Sequence, residues 1–329
     1  MVRPQHETAR YRITRVRRPG LLPFLAGQGV AGIATGREAP VGLPEGWHGA
    51  KRADVLDGTA DVGPLAGIVH LEVKQHVPRP TAADAAEFER VNAGGTREWL
   101  DWADRRGVGR FVFVSTIKAV ATTDAPQMEA APLTPDTPYG RSKAAAEELV
   151  REWAAADPVR QAVILRPAPV YGPGNEANLA AFVRQIVNGK PCLIGRGETR
   201  KSVVSRTNLA AAIAFVAARP GHGCEVYNVA DRDTFTLAAL ARLIADLAGA
   251  PPPRSIPAPL AAAAAPVGDL IERVTGREFP LTTARLRAIR ETSVFPCDKL
   301  VAAGFAHPQT TREGLAEMLA WLETNKPAA

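Results

Sequence analysis

Cysteine is scarce in this chain, and long apolar runs are missing. The three cysteines, Cys192, Cys224 and Cys297, are scattered through 329 residues with no paired spacing. They predict neither a disulfide framework nor a zinc site, and they fit a reducing compartment. No apolar run reaches the ~18 residues that a membrane-spanning helix requires. We therefore expect a cytoplasmic protein without a membrane span and without a bound metal.

Acidic residues are scarce in the N-terminal segment, which makes it strongly basic. Residues 1–20 hold six arginines and Glu7, and so carry +5 of the net charge of +6. Basic segments of this kind bind nucleic acid or serve as transit peptides. This one leads directly into the first predicted strand, so we expect no nucleic-acid partner. The apolar fraction of 46% and the charged fraction of 22% are typical of a globular protein with one or two domains.

The most informative stretch is Tyr139-Gly-Arg-Ser-Lys143. Strong helix formers follow it, and a spacing of four residues places both side chains on one face of a helix. A free phenol titrates near ~10 and is a poor acid or base at neutral pH. A neighbouring ammonium favours the phenolate and so makes proton transfer accessible. Taken alone the pair is a common match, and its context decides the interpretation.

Apolar, β-rich runs flank this stretch at residues 110–116 and 161–167. Runs of this kind are typical of buried parallel strands. Strand and helix patterns alternate along much of the chain, which predicts an α/β fold with a doubly wound parallel sheet. After Arg166 the character changes to short strands, turns and helices. We predict a dinucleotide-binding domain over residues 1–166 and a smaller, mostly helical substrate lobe over 167–329, with an interleaved boundary.

The order of these motifs resembles the extended short-chain dehydrogenase/reductases. The order is a strand ending in Ser115-Thr116, the helix with Tyr139 and Lys143, a second strand ending in Arg166-Pro167, and then Tyr171-Gly-Pro-Gly174. It is most similar to the nucleotide-sugar epimerase/dehydratase branch. The resemblance spans residues 28–325 and is specific between 88 and 232. It implies a Rossmann-type domain, a bound nicotinamide nucleotide and hydride transfer at a sugar carbon.

The resemblance also implies roles for individual residues. Tyr139 would be the catalytic acid/base, Lys143 would bind the nicotinamide ribose, and Thr116 would bind the reacting hydroxyl. Asp54 matches an adenine contact, and Asn92 matches a residue that supports the main chain around the cofactor. The full cofactor-binding set implied is Gly20, Arg37, Asp54, Val55, Leu71, Asn92, Ser115, Tyr139, Lys143 and Pro167. The substrate set is Asn178 together with Arg200 and Lys201, which fall where the family carries basic residues near the diphosphate.

The cofactor loop departs from the family pattern. The glycines of Thr-Gly-x-x-Gly-x-x-Gly make the turn and let backbone amides approach the pyrophosphate. Here Arg15 and Arg18 fall at the first two glycine positions, Pro19 removes an amide donor, and only Gly20 remains. Glu72 adds a carboxylate that we expect to oppose the pyrophosphate. Two interpretations stay open: a degenerate member with weakened or lost cofactor binding, or a frame error over residues 1–20.

Three functions follow as hypotheses. The first is an NAD(P)-dependent epimerase acting on a nucleotide sugar, of the UDP-sugar 4-epimerase type. The second is an NADPH-dependent carbonyl reductase, and the third is a non-catalytic protein that kept the fold and lost the cofactor. Arg37 follows the second predicted strand and favours NADP over NAD. The resemblance further implies a homodimer formed through helices at 88–106 and 142–156.

Overall fold

The computed structural model of the protein describes residues 21–75, 77, 80–121, 123–175, 178–276, 279 and 281–325, and the backbone of residues 10–14. The side chain of residue 178 is outside this description. Gly20 and the two arginines at the predicted glycine positions lie outside the described residues. So do the other residues between 15 and 20.

The secondary structure alternates strands and helices through the first two thirds of the chain. In chain order the strands are β1 (Arg10–Thr14), β2 (Ala31–Gly36), β3 (Trp47–Lys51), β4 (Gly67–His70), β5 (Arg110–Val114), β6 (Gln161–Pro167), β7 (Val170–Tyr171), β8 (Leu193–Ile194), β9 (Arg200–Lys201), β10 (Val204–Ser205), β11 (Gly223–Val229), β12 (Phe235–Thr236) and β13 (Ser255–Ile256). The α-helices are α1 (Leu21–Gly27), α2 (Arg52–Leu56), α3 (Ala82–Phe88), α4 (Gly95–Arg105), α5 (Pro138–Ala155), α6 (Asn178–Val187), α7 (Arg206–Ala218), α8 (Leu237–Ala248), α9 (Ala258–Thr275), α10 (Thr283–Arg290), α11 (Asp298–Ala302) and α12 (Thr311–Thr324).

Seven parallel strands form the main sheet in the order β3-β2-β1-β4-β5-β6-β11. β1 lies inside this sheet, with β2 on one side and β4 on the other. The direction of winding therefore reverses between β1 and β4, and such a switch point opens a ligand crevice at the carboxyl ends of the strands. The prediction of an α/β, Rossmann-type doubly wound sheet is confirmed.

Helices cover both faces of the sheet because side chains alternate along each strand. On β5, Phe111 and Phe113 belong to the core beneath α4 and α5. Val112 and Val114, between and after them, belong to the core beneath α1 and α7. All four side chains are at most 8% exposed, which identifies β5 as an inner strand buried on both faces.

One long helical stretch contains an irregular turn. α3 and α4 are continuous with a π-helical segment, Glu89–Gly94, that lies between them. Thr81 begins the stretch with a capping box in which it exchanges hydrogen bonds with Asp84. The sequence predicts one regular helix over 88–106, so the π turn is a correction. It holds Asn92, and turns of this type are frequent at functional sites.

The remainder of the chain forms a second core of α6, α8 and α12. Between these elements the chain returns to the main sheet, where α7 packs on one face and β11 pairs with β6. α9 and α10 form a separate hairpin with a small core of their own around Ala261, Ala265 and Leu286. The division of the chain at residue 166 stays a prediction, because elements of both lobes alternate after it. Within the described ranges, no helix is long and apolar enough to cross a membrane.

Candidate active site

The candidate catalytic residues gather at the carboxyl ends of β5 and β6. Ser115 and Thr116 follow β5 directly, and their side chains are 5% and 9% exposed. The Thr116 hydroxyl accepts a hydrogen bond from the amide of Lys118 at 3.2 Å and so begins a short 3-10 turn. Ser115 points elsewhere, because its hydroxyl donates to the Glu147 carboxylate at 2.6 Å. Of the two hydroxyls, Thr116 is therefore the one placed for a substrate.

Lys143 places a buried ammonium at the end of β5. Its side chain is 1% exposed, and its Nζ donates to the carbonyl oxygen of Val114 at 2.8 Å. The same nitrogen lies 4.0 Å from the centre of the Phe113 ring. A buried cation is costly unless it is paired, and a carbonyl with an aromatic face supplies such partners. The ammonium is thus fixed beside Ser115, the residue that follows Val114.

Tyr139 lies in the first turn of α5, one turn before Lys143. The helix begins with Pro138 and is capped by Thr137, whose hydroxyl accepts from the amide of Gly140 at 3.0 Å. The Tyr139 ring meets the edge of the buried Phe88 ring, with 5.8 Å between the ring centres. The aromatic ring is therefore held by α3, and the phenol projects from a partly buried position.

Gly140 brings the start of α5 against the loop that carries Thr116. A Cβ atom on Gly140 would lie 2.3 Å from the carbonyl oxygen of Lys118, which is too close for any other residue. Thr116 precedes Lys118 by two positions, and Tyr139 precedes Gly140 by one. The structure therefore brings Thr116, Tyr139 and Lys143 to one region.

Asn92 ties two parts of this region together. It is fully buried, and its Oδ1 accepts from the amide of Lys74 at 2.7 Å, in the segment that follows β4. Its Nδ2 donates to the hydroxyl of Ser142 at 2.9 Å, and that hydroxyl donates to the carbonyl oxygen of Tyr139 at 2.9 Å. One amide thus positions both the backbone after β4 and the first turn of α5. No role for Ser142 was predicted from the sequence, where it stands between Arg141 and Lys143 at the start of a predicted helix.

A buried ion pair lies beneath these residues. Glu147 on α5 and Arg166 on β6 are 0% and 1% exposed, and the guanidinium donates to the carboxylate at 2.7 Å. Ser115 donates to the same carboxylate. Neither charged residue was assigned a role from the sequence. The signal for Arg166 is a single charge inside an apolar strand, whereas Glu147 is followed directly by Glu148 and so carried no distinct signal.

The predicted adenine side lies at the far end of the sheet. Val55 is 1% exposed and packs in the core beneath α4, so only its backbone is available to a ligand. Its carbonyl oxygen already accepts from the indole of Trp102 at 2.8 Å. Asp54 is partly buried in the first turn of α2. Arg37 follows β2 and is exposed.

Glu72 is hydrogen-bonded to two neighbouring side chains. Its carboxylate accepts from Arg52 Nε at 2.8 Å and from the indole of Trp99 at 3.1 Å. Arg52 also pairs with Glu98 and so offsets only part of the charge of the two carboxylates, and the opposition of Glu72 to a pyrophosphate stays a prediction. Leu71, the preceding residue, is partly buried against the core beneath α1 and α7.

The predicted substrate residues separate into different environments. Arg200 is exposed, whereas the Lys201 ammonium donates to the carbonyl oxygen of Ala288 at 2.9 Å and also to that of Glu291. Burial, with a smaller contribution from the nearby Lys118, lowers the pKa of Lys201 to about 8. Lys201 thus joins β9 to the end of α10. Asn178 begins α6, and its side chain lies outside the described residues.

Pro167 ends β6, where it is buried and pairs with Val229 of β11.

A cavity of about 780 Å³ lies in the second lobe and is lined by residues that include Arg196, Arg242 and Asp246. Tyr139 and Lys143 do not line it, so it is separate from the catalytic region. In the part of the chain that the structure describes, no cluster of three or more His, Cys, Asp or Glu side chains could hold a metal ion.

The fold and this arrangement define a class of protein. The sequence profile described as the NAD dependent epimerase/dehydratase family matches residues 50–230, more than half of the chain. The protein belongs to this family of enzymes. The match begins in β3 and covers the residues described around Thr116, Tyr139 and Lys143.

Particular relatives extend over most of the chain. The N-acetyl-alpha-D-glucosaminyl-diphospho-ditrans,octacis-undecaprenol 4-epimerase of Escherichia coli O157:H7 is 28% identical over 268 residues, which is 81% of this chain and 81% of the relative. The UDP-glucose 4-epimerase of Vibrio cholerae is 29% identical over 78% of this chain and 77% of the relative. The structure of a UDP-glucose 4-epimerase of Thermus thermophilus in complex with NAD matches with a TM-score of 0.70 at 20% identity, covering 96% of this chain and 99% of that chain. This last likeness establishes a shared fold.

Proposed function

We propose that this protein is an NAD-dependent epimerase that acts on a sugar carried by a diphosphate. The UDP-sugar 4-epimerases are the reaction type that we favour. The observation that carries the proposal is the meeting of Thr116, Tyr139 and the buried Lys143 at the carboxyl end of β5. A non-catalytic scaffold has no need for an ammonium held at 1% exposure in this place.

The roles of the side chains follow from their positions. Tyr139 takes the proton from a sugar hydroxyl and returns it after the sugar has presented its other face. Thr116 holds the same hydroxyl, and Lys143 supports the phenolate electrostatically and binds the cofactor ribose. NAD, when bound, supplies a reversible hydride acceptor. Asn92 fixes the first turn of α5 relative to the backbone after β4 through its hydrogen bonds.

The described residues fit the nicotinamide half of such a cofactor. The fully buried Asn92 amide orders the backbone after β4, at the point where the winding of the sheet reverses. The Lys143 ammonium lies at the end of the adjacent strand. At the other end, exposed Arg37 adjoins Glu38, which is paired with Lys51 at 3.0 Å. That surface fits either a ribose or a 2′-phosphate, and we propose NAD on the basis of the family.

Cofactor release is the experiment that tests this function. The purified protein is denatured, the released nucleotides are separated by chromatography, and the native protein is titrated with NADH and NADPH. Released NAD supports the epimerase. Saturable NADPH binding with nothing released favours the carbonyl reductase instead. Binding of neither nucleotide overturns both enzymes and leaves the non-catalytic protein or the frame error at residues 1–20, which resequencing of the locus decides.

The sugar diphosphate of the substrate can be attached to either of two groups, a nucleoside or a polyprenol. One curated relative is named for a UDP sugar and another for an undecaprenol-linked diphospho sugar.

We also propose a homodimer in the cytoplasm, formed through the outer faces of α4 and α5. Light scattering in solution measures the dimer, and a monomer at micromolar concentration would contradict it.

A further inference from the structure

α9 carries an apolar face that points away from the protein. Leu260, Val267, Leu270 and Val274 are 60%, 56%, 57% and 76% exposed. Their spacing of seven, three and four residues aligns them along one side of the helix. Val41, Met128, Val159 and Val187 are the other large hydrophobic side chains exposed in the described part of the chain, and they are dispersed. The apolar surface is thus concentrated on one helix.

The opposite side of α9 already has its partner. Ala261, Ala265 and Gly268 are buried against α10 and the loop before it. A Cβ atom on Gly268 would lie 1.9 Å from the carbonyl oxygen of Leu281, so the two helices are in close contact. A helix that is apolar all round is normally enclosed by protein or in contact with lipid. In α9 only one of the two apolar faces is enclosed.

The charges around this face favour an anionic partner. None of the acidic residues described on the hairpin is exposed, and each accepts a hydrogen bond: Asp269 from the amide of Thr283, Glu272 from the amide of Phe279, and Glu291 from Arg287. The exposed charged side chains described on and beside the hairpin are arginines, namely Arg254, Arg273, Arg287 and Arg290. Of these, Arg273 lies on α9 itself, and Arg287 is paired with Glu291. An apolar helix face, with exposed guanidinium groups and no exposed carboxylate among the described residues of the same hairpin, is the pattern of a helix that lies in the interface of an anionic bilayer.

The hairpin is fixed next to the candidate substrate site. Lys201 donates to the end of α10 at Ala288 and Glu291, and the amide of Ser293 donates to the carbonyl oxygen of Arg200 at 2.9 Å. A surface that binds α9 would therefore lie near the residues proposed to meet the diphosphate.

We propose that Leu260, Val267, Leu270 and Val274 dock this protein on an anionic lipid bilayer, so that it takes its sugar diphosphate from a polyprenol lipid in that bilayer. The docking surface rests on the exposed apolar side chains of α9 and the exposed arginines of the hairpin. The choice of substrate rests on the proposed function.

Cosedimentation of the full chain with vesicles tests the docking. The vesicles are phosphatidylcholine alone, or equal parts of phosphatidylcholine and phosphatidylglycerol. The test variant is Val267→Glu/Leu270→Glu, and the matched control is Val41→Glu/Val159→Glu, which alters side chains that are 90% and 75% exposed elsewhere. We expect binding to the anionic vesicles, reduced about a hundredfold in the test variant and unchanged in the control, since each of the two lost apolar side chains removes a factor of about ten.

Several results would overturn the docking surface. They are no binding by the wild type, binding that the test variant retains, or equal binding to neutral vesicles. A wild-type dimer in light scattering that the test variant converts to monomer, without vesicle binding, would assign the face to a second copy of the chain. Turnover of a water-soluble UDP sugar is measured in parallel and should be equal in all variants. Vesicle binding without turnover of any sugar diphosphate would refute the proposed function and leave the docking intact.

Discussion

Arg166 donates to both carboxylate oxygens of Glu147, and the closest contact, from Nη2 to Oε2, is 2.7 Å. Both side chains are almost fully buried, and Ser115 adds a further donor to the carboxylate at 2.6 Å. The pair joins α5 to β6 directly under the catalytic region. It therefore links the stability of the sheet to the position of Tyr139 and Lys143, which lie on the same helix.

Removing one member of this pair should destabilise the fold strongly. In Glu147→Gln the Arg166 guanidinium stays buried without its counter-charge, which costs about 3–5 kcal/mol. The measurement is the free energy of unfolding from a urea titration. Glu147→Gln/Arg166→Met should recover part of the loss, because no buried charge remains. The control is Glu38→Gln at the exposed pair with Lys51, which should leave the urea midpoint unchanged. A midpoint for Glu147→Gln equal to that of the wild type would contradict the prediction.

Tyr139→Phe should remove turnover and keep the fold. The phenol is the proposed proton acceptor, and loss of such a group costs about 10²–10⁴-fold in rate. Steady-state kinetics on a sugar diphosphate and circular dichroism measure the two properties. Tyr227→Phe is the matched control, because its hydroxyl donates to Glu225 at the edge strand β11, away from the catalytic residues. If Tyr139→Phe retains the wild-type kcat, Tyr139 is not the acid/base.

Gly140→Ala should impair catalysis through position alone. The new methyl group would lie 2.3 Å from the carbonyl oxygen of Lys118, so the start of α5 must move away from the Thr116 loop. Small displacements of reacting groups cost about 10²-fold. Gly27→Ala provides the comparison, since a Cβ there meets nothing within 4 Å. A kcat for Gly140→Ala within a factor of about two of Gly27→Ala would show that the close approach does not matter for turnover.

Lys201 should titrate well below ordinary lysines. Burial, and secondarily Lys118, lowers its pKa to about 8 from the ordinary 10.5. The unfolded chain therefore binds more protons between pH 8 and 10.5, and this group's contribution to the unfolding free energy rises with pH across that window. Below pH 8 the ammonium is charged and available to a diphosphate.

Competitive labelling with acetic anhydride, followed by mass spectrometry, measures this pKa. The reactivity of Lys201 should reach half its maximum near pH 8. Lys51 is the internal reference, because its hydrogen bond to Glu38 raises its pKa. In Lys118→Met the midpoint for Lys201 should move upward. Equal midpoints for Lys201 and Lys51 would refute the shift.

The sequence predicted the strands and helices that depend on local patterns of residues. The apolar runs that became β5 and β6, and the helix formers after Tyr139 that became α5, follow from propensity and periodicity. The π turn at Asn92 was not predictable, because a change of hydrogen-bond register leaves the helical pattern intact. The partner of Glu72 was not predictable either, because Arg52 lies 20 residues away in the sequence. Contacts across such distances depend on how the elements pack, and a single sequence does not carry that information.

The outward face of α9 is a similar case. Its alanines and leucines are typical of a helix, but composition alone does not show which apolar side chains face the protein and which face outward. Only the packing against α10 distinguishes Ala261 and Ala265 from Leu260 and Val267.

The path of the chain after β6 has a consequence for how the parts of the protein are connected. The chain leaves the main sheet after Pro167, returns with α7 and β11, and leaves again after Val229, and Pro167 and Val229 are register partners on adjacent strands. The elements outside the main sheet therefore come from two separate stretches of chain, one between β6 and α7 and one after β11. The first stretch is joined to the sheet at both of its ends, so a single cut in the backbone cannot detach both stretches from the sheet.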